Sequence, residues 1–331
     1  MRCPHCQSET VVKNGTRRLH DNQIVQYYRC RSCAHNFNER TGTPMARLRT
    51  PSSVVEYALN SRSEGLGVRA TGRVYHKSHA TILRWEERLA RQGEHWSPPA
   101  PEGSEITLEG DELYTRVGEN LPPLESSGWT LTFLERESRY WVTAQAGRKD
   151  ETLFTLGTQD TWAWAQEAST IRWFTDGERR YGKALWPLAS ERVSNQGLAA
   201  TYPFRKVWRE GLEVAIKIKG SQGHRRVVWL KVDHPFTALS PASEVHANHN
   251  EANNAALRRR CSAYRRRQNL YAKTTEGLQR SLDVQRLIHN WVRPHWGLQG
   301  KTTPSMAMGF TSRPISTAEL LNSTGFEALL L

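Results

Sequence analysis

The amino-acid sequence predicts a multidomain α/β protein. Two C-x2-C pairs lie within residues 1–45, residues 50–93 read as helical, and strand-like runs alternate with helices after a Pro-, Gly- and Ser-rich stretch. Such a stretch is typical of a linker. The predicted segments are a small ribbon at 1–45, a helix-turn-helix domain at 46–95, a linker at 96–104, an α/β domain at 105–270 with a basic insert near 205–231, and a helical C-terminal segment at 271–331.

The charge of the chain indicates a polyanionic partner. The 331 residues carry a formal net charge of +13 at pH 7. Such a protein most often binds nucleic acid, although a ribosome-associated or merely basic protein has the same balance. No run approaches the ~18 apolar residues that cross a bilayer, and the first residues lack the apolar stretch of a signal peptide. We therefore expect no membrane partner and a cytoplasmic location, where thiols stay reduced.

Four of the five cysteines predict a metal site. They form two C-x2-C pairs separated by 23 residues, namely Cys3, Cys6, Cys30 and Cys33. Four thiolates make the closed tetrahedral site that zinc prefers, so the expected role of Zn²⁺ is structural. A hairpin of the strands Thr10–Val12 and Gln26–Arg29 would complete a zinc ribbon.

The next segment predicts three helices. The first begins near Ser52, the second covers about 67–75, and the third covers His79–Arg91 with apolar residues at i, i+3 and i+7,. This is the pattern of a helix-turn-helix; a small helical bundle that links domains is the alternative. Polar residues at the start of the third helix would meet DNA in the major groove, namely Lys77, Ser78, His79, Thr81 and Arg84.

Three carboxylates in the α/β region stand out by their context. Asp111 lies in a strand-like run, Asp176 immediately follows another, and Glu251 lies at the start of a helix expected at about 250–267. Such carboxylates can meet at neighbouring strand ends, and hard divalent cations prefer oxygen ligands. Two Mg²⁺ ions about 3.5–4 Å apart can hold the attacking and leaving oxygens of phosphoryl transfer. The residues therefore predict a catalytic Mg²⁺ (or Mn²⁺) site.

These carboxylates also have ordinary structural alternatives. Asp176 could cap a helix, and Glu251 could favour the dipole of its own helix. Three other acidic residues remain candidates from the sequence, namely Glu109, Glu112 and Glu244. His246 and His249 could join Glu251 in a metal-hydrolase site, but the H-E-x-x-H spacing is absent from the sequence,.

An arginine-rich segment follows Glu251. Residues 258–267 contain six Arg in ten positions and no acidic residue. Phosphates are the natural partner of such a segment. Helical spacing places Glu251, Asn254 and Arg258 on one face, so one helix would carry both a metal ligand and phosphate contacts. The expected DNA contacts here are Arg258, Arg259, Arg265 and Arg266.

Together these motifs resemble the single-chain transposases of bacterial insertion sequences, of the insertion-sequence-one type, over nearly the whole chain. The cysteine ribbon with Tyr28–Cys33 is similar to the family's opening, Leu108–Tyr114 to its first catalytic Asp motif, Thr175–Tyr181 to its second, and Asn250–Arg258 to its Glu motif. The basic insert and the C-terminal segment depart from the pattern. The run Asn290–Leu298 is similar to the tail of other DDE transposases.

The resemblance implies a ribonuclease-H-like catalytic domain in which Asp111, Asp176 and Glu251 hold magnesium. The implied enzyme is a polynucleotidyl transferase that binds the terminal inverted repeats of an insertion sequence. One ion would activate the water that frees a 3′-hydroxyl, which then attacks target DNA in line without a covalent protein–DNA intermediate. Synapsis of two double-stranded ends implies at least a homodimer, acting at the bacterial nucleoid. The alternatives are a zinc-dependent DNA-binding regulator with a degenerate nuclease fold and a simple nuclease.

Overall fold

The structure is a computed structural model that describes residues 2–194, 203–219, 226–229, 240–241, 243–265 and 268–329. The chain forms two compact units, one from Met1–Ser97 with Ile315–Leu331 and the other from Pro98–Pro314. The residues expected to form one C-terminal segment, 271–331, are thus divided between the two units.

The first unit begins with a three-stranded antiparallel sheet. Its strands are β1 (Val11–Arg18), β2 (Ile24–Cys30) and β3 (Asn36–Asn38). The expected hairpin is longer than the sequence indicates, because β1 and β2 pair from Val11 opposite Cys30 to Arg18 opposite Ile24. Phe37 of β3 packs with Cys3 and Cys30 in a small core.

Three helices follow in the same unit. They are α1 (Ser52–Ser63), α2 (Val68–Val74) and α3 (His79–Ala90). The apolar side chains that predict α3 are buried, namely Ile82, Trp85 and Leu89. Arg62 of α1 donates to Glu86 of α3 at 2.7 Å, and both side chains are buried. This ion pair ties the first helix to the third.

The C-terminal residues also belong to this unit. They form a short helix, Thr317–Asn322, and a 3-10 turn, Phe326–Leu329. Ser316 caps the helix by accepting from the Glu319 amide at 3.2 Å. Thr317 donates to the side chain of Asn60 in α1 at 2.7 Å.

The second unit is built on a six-stranded mixed sheet. Its strands are β4 (Glu105–Tyr114), β5 (Trp129–Glu135), β6 (Trp141–Gly147), β7 (Thr170–Asp176), β10 (Leu212–Lys219) and β11 (Arg226–Trp229). Between β7 and β10 the chain forms a separate two-stranded antiparallel sheet of β8 (Ser190–Ser194) and β9 (Phe204–Trp208). The spatial order is β11-β10-β7-β4-β5-β6. β4, β5 and β6 are antiparallel neighbours, whereas β7 runs parallel to β4, and β10 runs parallel to β7.

Helices pack against both faces of this sheet. They are α4 (Glu151–Ala165), α5 (Arg179–Ala189), α6 (Asn248–Arg260) and α7 (Thr275–Leu287). A further short helix, α8 (Pro304–Ala307), packs beside residues Ile288–Val292. Because successive side chains of a strand point to opposite faces, β4 contributes to two cores. Leu108 joins the core that includes residues of α4 and α5. Leu113 joins the core that includes residues of α6 and α7.

The basic segment near 205–231 contains a strand of the main sheet. Leu212–Ile216 of β10 are buried, and β10 pairs with β7 from Leu212 to Lys217. A strand covered on both faces reads as a continuous apolar run, and the high count of Lys and Arg around it obscures that run in the sequence. Residues 220–225 and 230–231 of this segment lie outside the described residues.

Two helices end differently from the sequence-based expectation. The helix expected at about 250–267 ends at Arg260, and Ser262–Tyr264 form a buried 3-10 turn. Tyr264 enters the core beside α7 and makes a short hydrogen bond to Thr130 of β5, which requires the chain to leave the helix. In the segment expected to be helical after residue 271, α7 ends at Leu287 and a π-helical turn follows at Ile288–Val292.

Candidate functional site

Three carboxylates from β4 and β7 meet at one edge of the six-stranded sheet. One oxygen of each lies within 4.8 Å of the others, in Asp111, Glu112 and Asp176. β4 and β7 are parallel neighbours with Gly110 opposite Thr175, so Asp111 and Asp176 are the next residues along each strand. Gly110 permits this close packing, because a Cβ there would lie 2.6 Å from the Phe133 ring and 2.8 Å from Cγ2 of Thr175.

Asp176 is the last residue of β7. Its Oδ1 accepts a hydrogen bond from the amide of Glu178 at 3.0 Å. Glu178, rather than Asp176, is the N-cap of α5, where its side chain accepts from the amide of Arg180. The helix-cap alternative for Asp176 is therefore wrong.

Asp111 faces α6. Asn254 of that helix donates to Oδ2 of Asp111 at 2.8 Å. Burial raises the pKa of Asp111 to about 6; the hydrogen bond from Asn254 opposes this shift, and the charges of Asp176 and Glu251 add to it. These neighbours make Asp111 a site of concentrated negative charge, which a divalent cation would relieve.

Glu251 lies in the first turn of α6 and is exposed. Among the described residues, the carboxylates within 4.8 Å of one another are those of Asp111, Glu112 and Asp176, and Glu251 is outside that group. It is still near enough for its charge to raise the pKa of Asp111. Its assignment as the third magnesium ligand stays a prediction.

Glu112 lies on the opposite face of β4 from Asp111. Its side chain is only 4% exposed, and its Oε2 lies 3.2 Å from Nζ of Lys149. Burial and the charge of Asp176 raise the pKa of Glu112 to about 7, although Lys149 opposes the shift. Oε1 of Glu112 is buried, and the buried side chain of Tyr181 interacts with the same carboxylate.

Glu109 fixes the start of α6 on the sheet. Its carboxylate accepts from the amides of His249 and Asn250 at 2.8 and 3.0 Å, and from Nε of Arg136 at 2.7 Å. The Asn250 side chain then donates to main-chain oxygens of Glu109 and Thr132, at 2.8 and 2.9 Å. Burial would raise the pKa of Glu109, but the hydrogen bonds from His249 and Asn250 and the charge of Arg136 lower it.

A separate group of Glu109 with two histidines has a structural role rather than a metal-binding one. Glu109, His246 and His249 each place a donor atom within 4.8 Å of the others. Nη2 of Arg136 lies 3.3 Å from Nδ1 of His246 and also donates to the main-chain oxygens of Glu244 and His246. A guanidinium inside this group opposes a metal cation and already satisfies the buried carboxylate. The group therefore serves to dock α6.

The four ribbon cysteines converge. Cys3 and Cys33 have sulfurs 3.6 Å apart, as do Cys6 and Cys30, and all four sulfurs lie within 4.8 Å of one another. A tetrahedral zinc ion with Zn–S bonds of about 2.3 Å separates its sulfurs by roughly 3.8 Å. The four-cysteine cluster has donors and spacing that fit such an ion.

A basic hollow lies at the turn between α2 and α3. It measures about 500 Å³, and its lining residues are Arg69, Gly72, Arg73, His76, Lys77, Ser78 and His79. Ser78 caps α3 by accepting from the amide of Thr81 at 3.1 Å. Gly72 allows the tight turn, since a Cβ there would lie 2.6 Å from the Lys77 carbonyl oxygen. The predicted contact residues Lys77, His79 and Arg84 are exposed.

The arginines after Glu251 lie in the second unit. Arg259 is exposed, whereas Arg258 and Arg265 are partly buried. Arg265 donates to the main-chain oxygen of Arg259 at 3.2 Å. Arg266 lies outside the described residues.

Comparisons with known proteins leave the family of the chain open. No model of a known protein family matches it, and a search of curated proteins finds no significant match. Within the part of the chain that the structure describes, no helix is both long and apolar enough to cross a membrane.

Several site residues have roles that sequence reasoning did not assign. Glu109 and Glu112 appear in the sequence only as alternatives to Asp111, and Arg136 and Lys149 carry no motif. The period of two along β4 could have separated the acids, because Glu109 and Asp111 share one face and Glu112 has the other. Nothing in the sequence indicates which helix covers each face.

Proposed function

We propose that the protein is a DNA transposase that cuts and joins DNA by divalent-cation-dependent phosphoryl transfer. The observation that carries the proposal is the pair of carboxylates on adjacent parallel strands, Asp111 and Asp176, beside the helix that bears Glu251 and the arginines. Phosphoryl transfer depends mainly on positioning and charge stabilisation, and this edge of the sheet offers groups for both.

The topology of the second unit supports a ribonuclease-H-like catalytic fold. Three antiparallel strands, β4 to β6, continue through α4 into β7, which lies beside β4, and then through α5 and the β8–β9 ribbon into β10. The three predicted catalytic residues fall on the first strand, at the end of the fourth strand and on the helix that follows the sheet. This is the placement that the resemblance to insertion-sequence transposases implies.

Asp111 and Asp176, with Glu251 from α6, are the residues that would hold the catalytic cation. The donor set consists of oxygens, which suits Mg²⁺ or Mn²⁺. When bound, such a cation neutralises charge on the phosphoryl oxygens and favours deprotonation of the attacking hydroxyl or water. Asn254 holds the carboxylate of Asp111 in place, and the arginines at the end of α6 would bind DNA phosphates.

The first unit would recognise DNA. We propose a structural zinc ion in the four-cysteine cluster and a helix-turn-helix in which α3 enters the major groove. The basic hollow at the turn between α2 and α3 supports this, because its lining side chains include two arginines and a lysine. Backbone contacts from such residues position a protein on DNA, and base contacts from α3 would select the sequence.

The test compares the wild-type protein with Asp176→Ala in a Mg²⁺-dependent assay that joins a 3′-ended transposon-end duplex to plasmid DNA. We expect the variant to lose joining almost completely. The matched control is Asp160→Ala, which removes an exposed carboxylate from α4 and is expected to join DNA normally. Retained joining by Asp176→Ala would contradict the site. A wild-type protein that binds DNA without cleaving or joining it would support the regulator instead, and one that cleaves without joining would support a simple nuclease.

A further inference from the structure

Trp296 is a tryptophan that the second unit exposes to solvent. The residue is 90% exposed, whereas the other tryptophan side chains that the structure describes are buried or partly buried. An indole is large and mostly apolar, so its burial normally stabilises a folded protein. Trp296 gains little of this stabilisation within its own chain, and its ring is therefore accessible to a partner.

A short turn fixes the position of Trp296. The amide of Leu298 donates to the main-chain oxygen of His295 at 2.9 Å. This hydrogen bond places Trp296 and Gly297 at the tip of a β-turn. The amide of His295 also donates to the main-chain oxygen of Thr302 at 2.9 Å, which closes the loop behind the turn. Because the loop is already ordered by its own hydrogen bonds, binding through the indole would cost little conformational entropy.

The turn packs against the end of α7. The ring of His295 meets the ring of the buried His289 edge-on, with ring centroids 5.8 Å apart. His289 lies in the π-helical turn that follows α7, and its Nε2 lies 2.8 Å from the main-chain oxygen of Arg139. The turn is thus anchored through His295, while Trp296 remains in solvent.

The surroundings of the turn are positively charged. The sequence from 284 to 314 contains four Lys or Arg and no Asp or Glu. Burial lowers the pKa of His295 to about 4, and the charges of Arg139, Arg260 and His249 add to this shift, so these groups are near enough to act on the turn. Arg260 and His249 both belong to α6. An exposed aromatic ring among cations suits a nucleic acid, whose phosphates attract the cations and whose bases stack on the ring.

We propose that Trp296 stacks on an unpaired nucleobase of the DNA that the protein binds. A base inside a duplex has both faces covered by its neighbours, so the indole requires a base at a DNA end or in an unpaired segment. Bases of every identity qualify, because each has a π-face. The inference rests on the proposed function, since cleavage of DNA produces such ends, and it adds a base contact to the phosphate contacts proposed for the arginines of α6.

The experiment uses a DNA duplex with a single-stranded 3′ overhang that carries the fluorescent base 2-aminopurine. The full-length protein is added without Mg²⁺ or Mn²⁺, so that binding is measured without cleavage or joining. Stacking on the indole should quench the fluorescence. Loss of a stacked aromatic side chain weakens binding about fivefold or more, so Trp296→Ala should bind the overhang duplex at least about fivefold more weakly and lose the quenching.

Three controls accompany this variant. Trp296→Phe keeps an aromatic ring and should retain most of the affinity. Leu124→Ala removes another apolar side chain, at a residue that is 88% exposed, and should change neither affinity nor quenching. When 2-aminopurine is paired in the interior of the duplex, its fluorescence should not depend on Trp296. Because Trp296 is exposed, its replacement leaves the core of the protein intact.

The outcomes separate the inference from the proposed function. No quenching by the wild type, or wild-type affinity and quenching in Trp296→Ala, overturns the inference. A change from dimer to monomer in Trp296→Ala with unchanged DNA binding also overturns it, because the indole would then contact a second copy of the chain. A protein that joins DNA without Trp296-dependent quenching refutes the inference alone. A protein that shows this quenching but never joins DNA supports the inference and refutes the proposed function.

Discussion

The replacement of Glu109 by Gln tests how α6 is held on the sheet. The Glu109 side chain is fully buried, and it accepts hydrogen bonds from Arg136 and from two amides in the first turn of α6. Gln keeps the shape but loses the charge and one acceptor oxygen. Arg136, whose side chain is 10% exposed, would remain buried without its counter-ion.

The expected loss of stability follows from the buried ion pair and the hydrogen bonds of Glu109. Removing one member of a buried ion pair costs about 3–5 kcal/mol, and a hydrogen bond to a charged group contributes about 1.5–3 kcal/mol. Gln retains part of the hydrogen bonding, so we expect a loss of about 3–5 kcal/mol rather than the sum. The free energy lost is that which holds α6 against the sheet, and α6 carries both Glu251 and the Asn254 that contacts Asp111.

The assay is amide hydrogen exchange of α6 in the full-length protein. A loss of about 3 kcal/mol corresponds to exchange roughly 100-fold faster, and it should be greatest at the amides of His249 and Asn250. DNA joining should fall in parallel. The control is Glu137→Gln, which makes the same change at an exposed position next to Arg136. Unchanged exchange in α6 of Glu109→Gln would refute the docking role.

Three further predictions concern other parts of the molecule. Cys6→Ser removes one donor of the four-cysteine cluster, so bound zinc measured by atomic spectroscopy should fall well below one equivalent; full zinc content would contradict it. Lys77→Ala removes an exposed cation beside α3 and should lower the salt-dependence slope of DNA binding by about 1; an unchanged slope would exclude a phosphate contact there. Burial lowers the pKa of His289 from 6.5 to about 3. Between these values the unfolded chain binds a proton at this histidine and the folded protein does not, so the free energy of unfolding that is present above pH 6.5 is lost as the pH falls toward 3,. At pH 5 this loss is about 2 kcal/mol, and urea unfolding of His289→Gln at pH 7 and pH 5 should show a smaller difference than in the wild type.

Local patterns account for the elements that the sequence predicts well. The spacing of Ile82, Trp85 and Leu89 predicts α3, and these side chains are buried as that spacing requires. The C-x2-C pairs likewise predict four converging sulfurs, because each pair is a short local motif and a hairpin is enough to join the two pairs. Both predictions depend on residues close in the chain or linked by one turn.

The elements that the sequence does not predict depend on partners far away in the chain. β10 contains the buried Val214 and Ala215, but its place beside β7 depends on a parallel pairing that no local pattern specifies. Arg136 has the composition of a charged turn residue, and its role appears only where α6 meets β4. The end of α6 at Arg260 is set by the burial of Tyr264 beside Thr130, although the helical pattern of the sequence continues.

The acidic group of Asp111, Glu112 and Asp176 depends both on a local strand pattern and on pairing between strands that are far apart in the chain. A strand places Asp111 and Glu112 on opposite faces, so from the sequence only one of them would be expected at a site on one face of the sheet. The structure brings both to Asp176 because β7 ends where β4 continues. The residue at which β7 ends relative to β4 therefore determines how many carboxylates meet. Glu251 lies on α6, so its position relative to Asp111 depends on how Glu109 docks that helix.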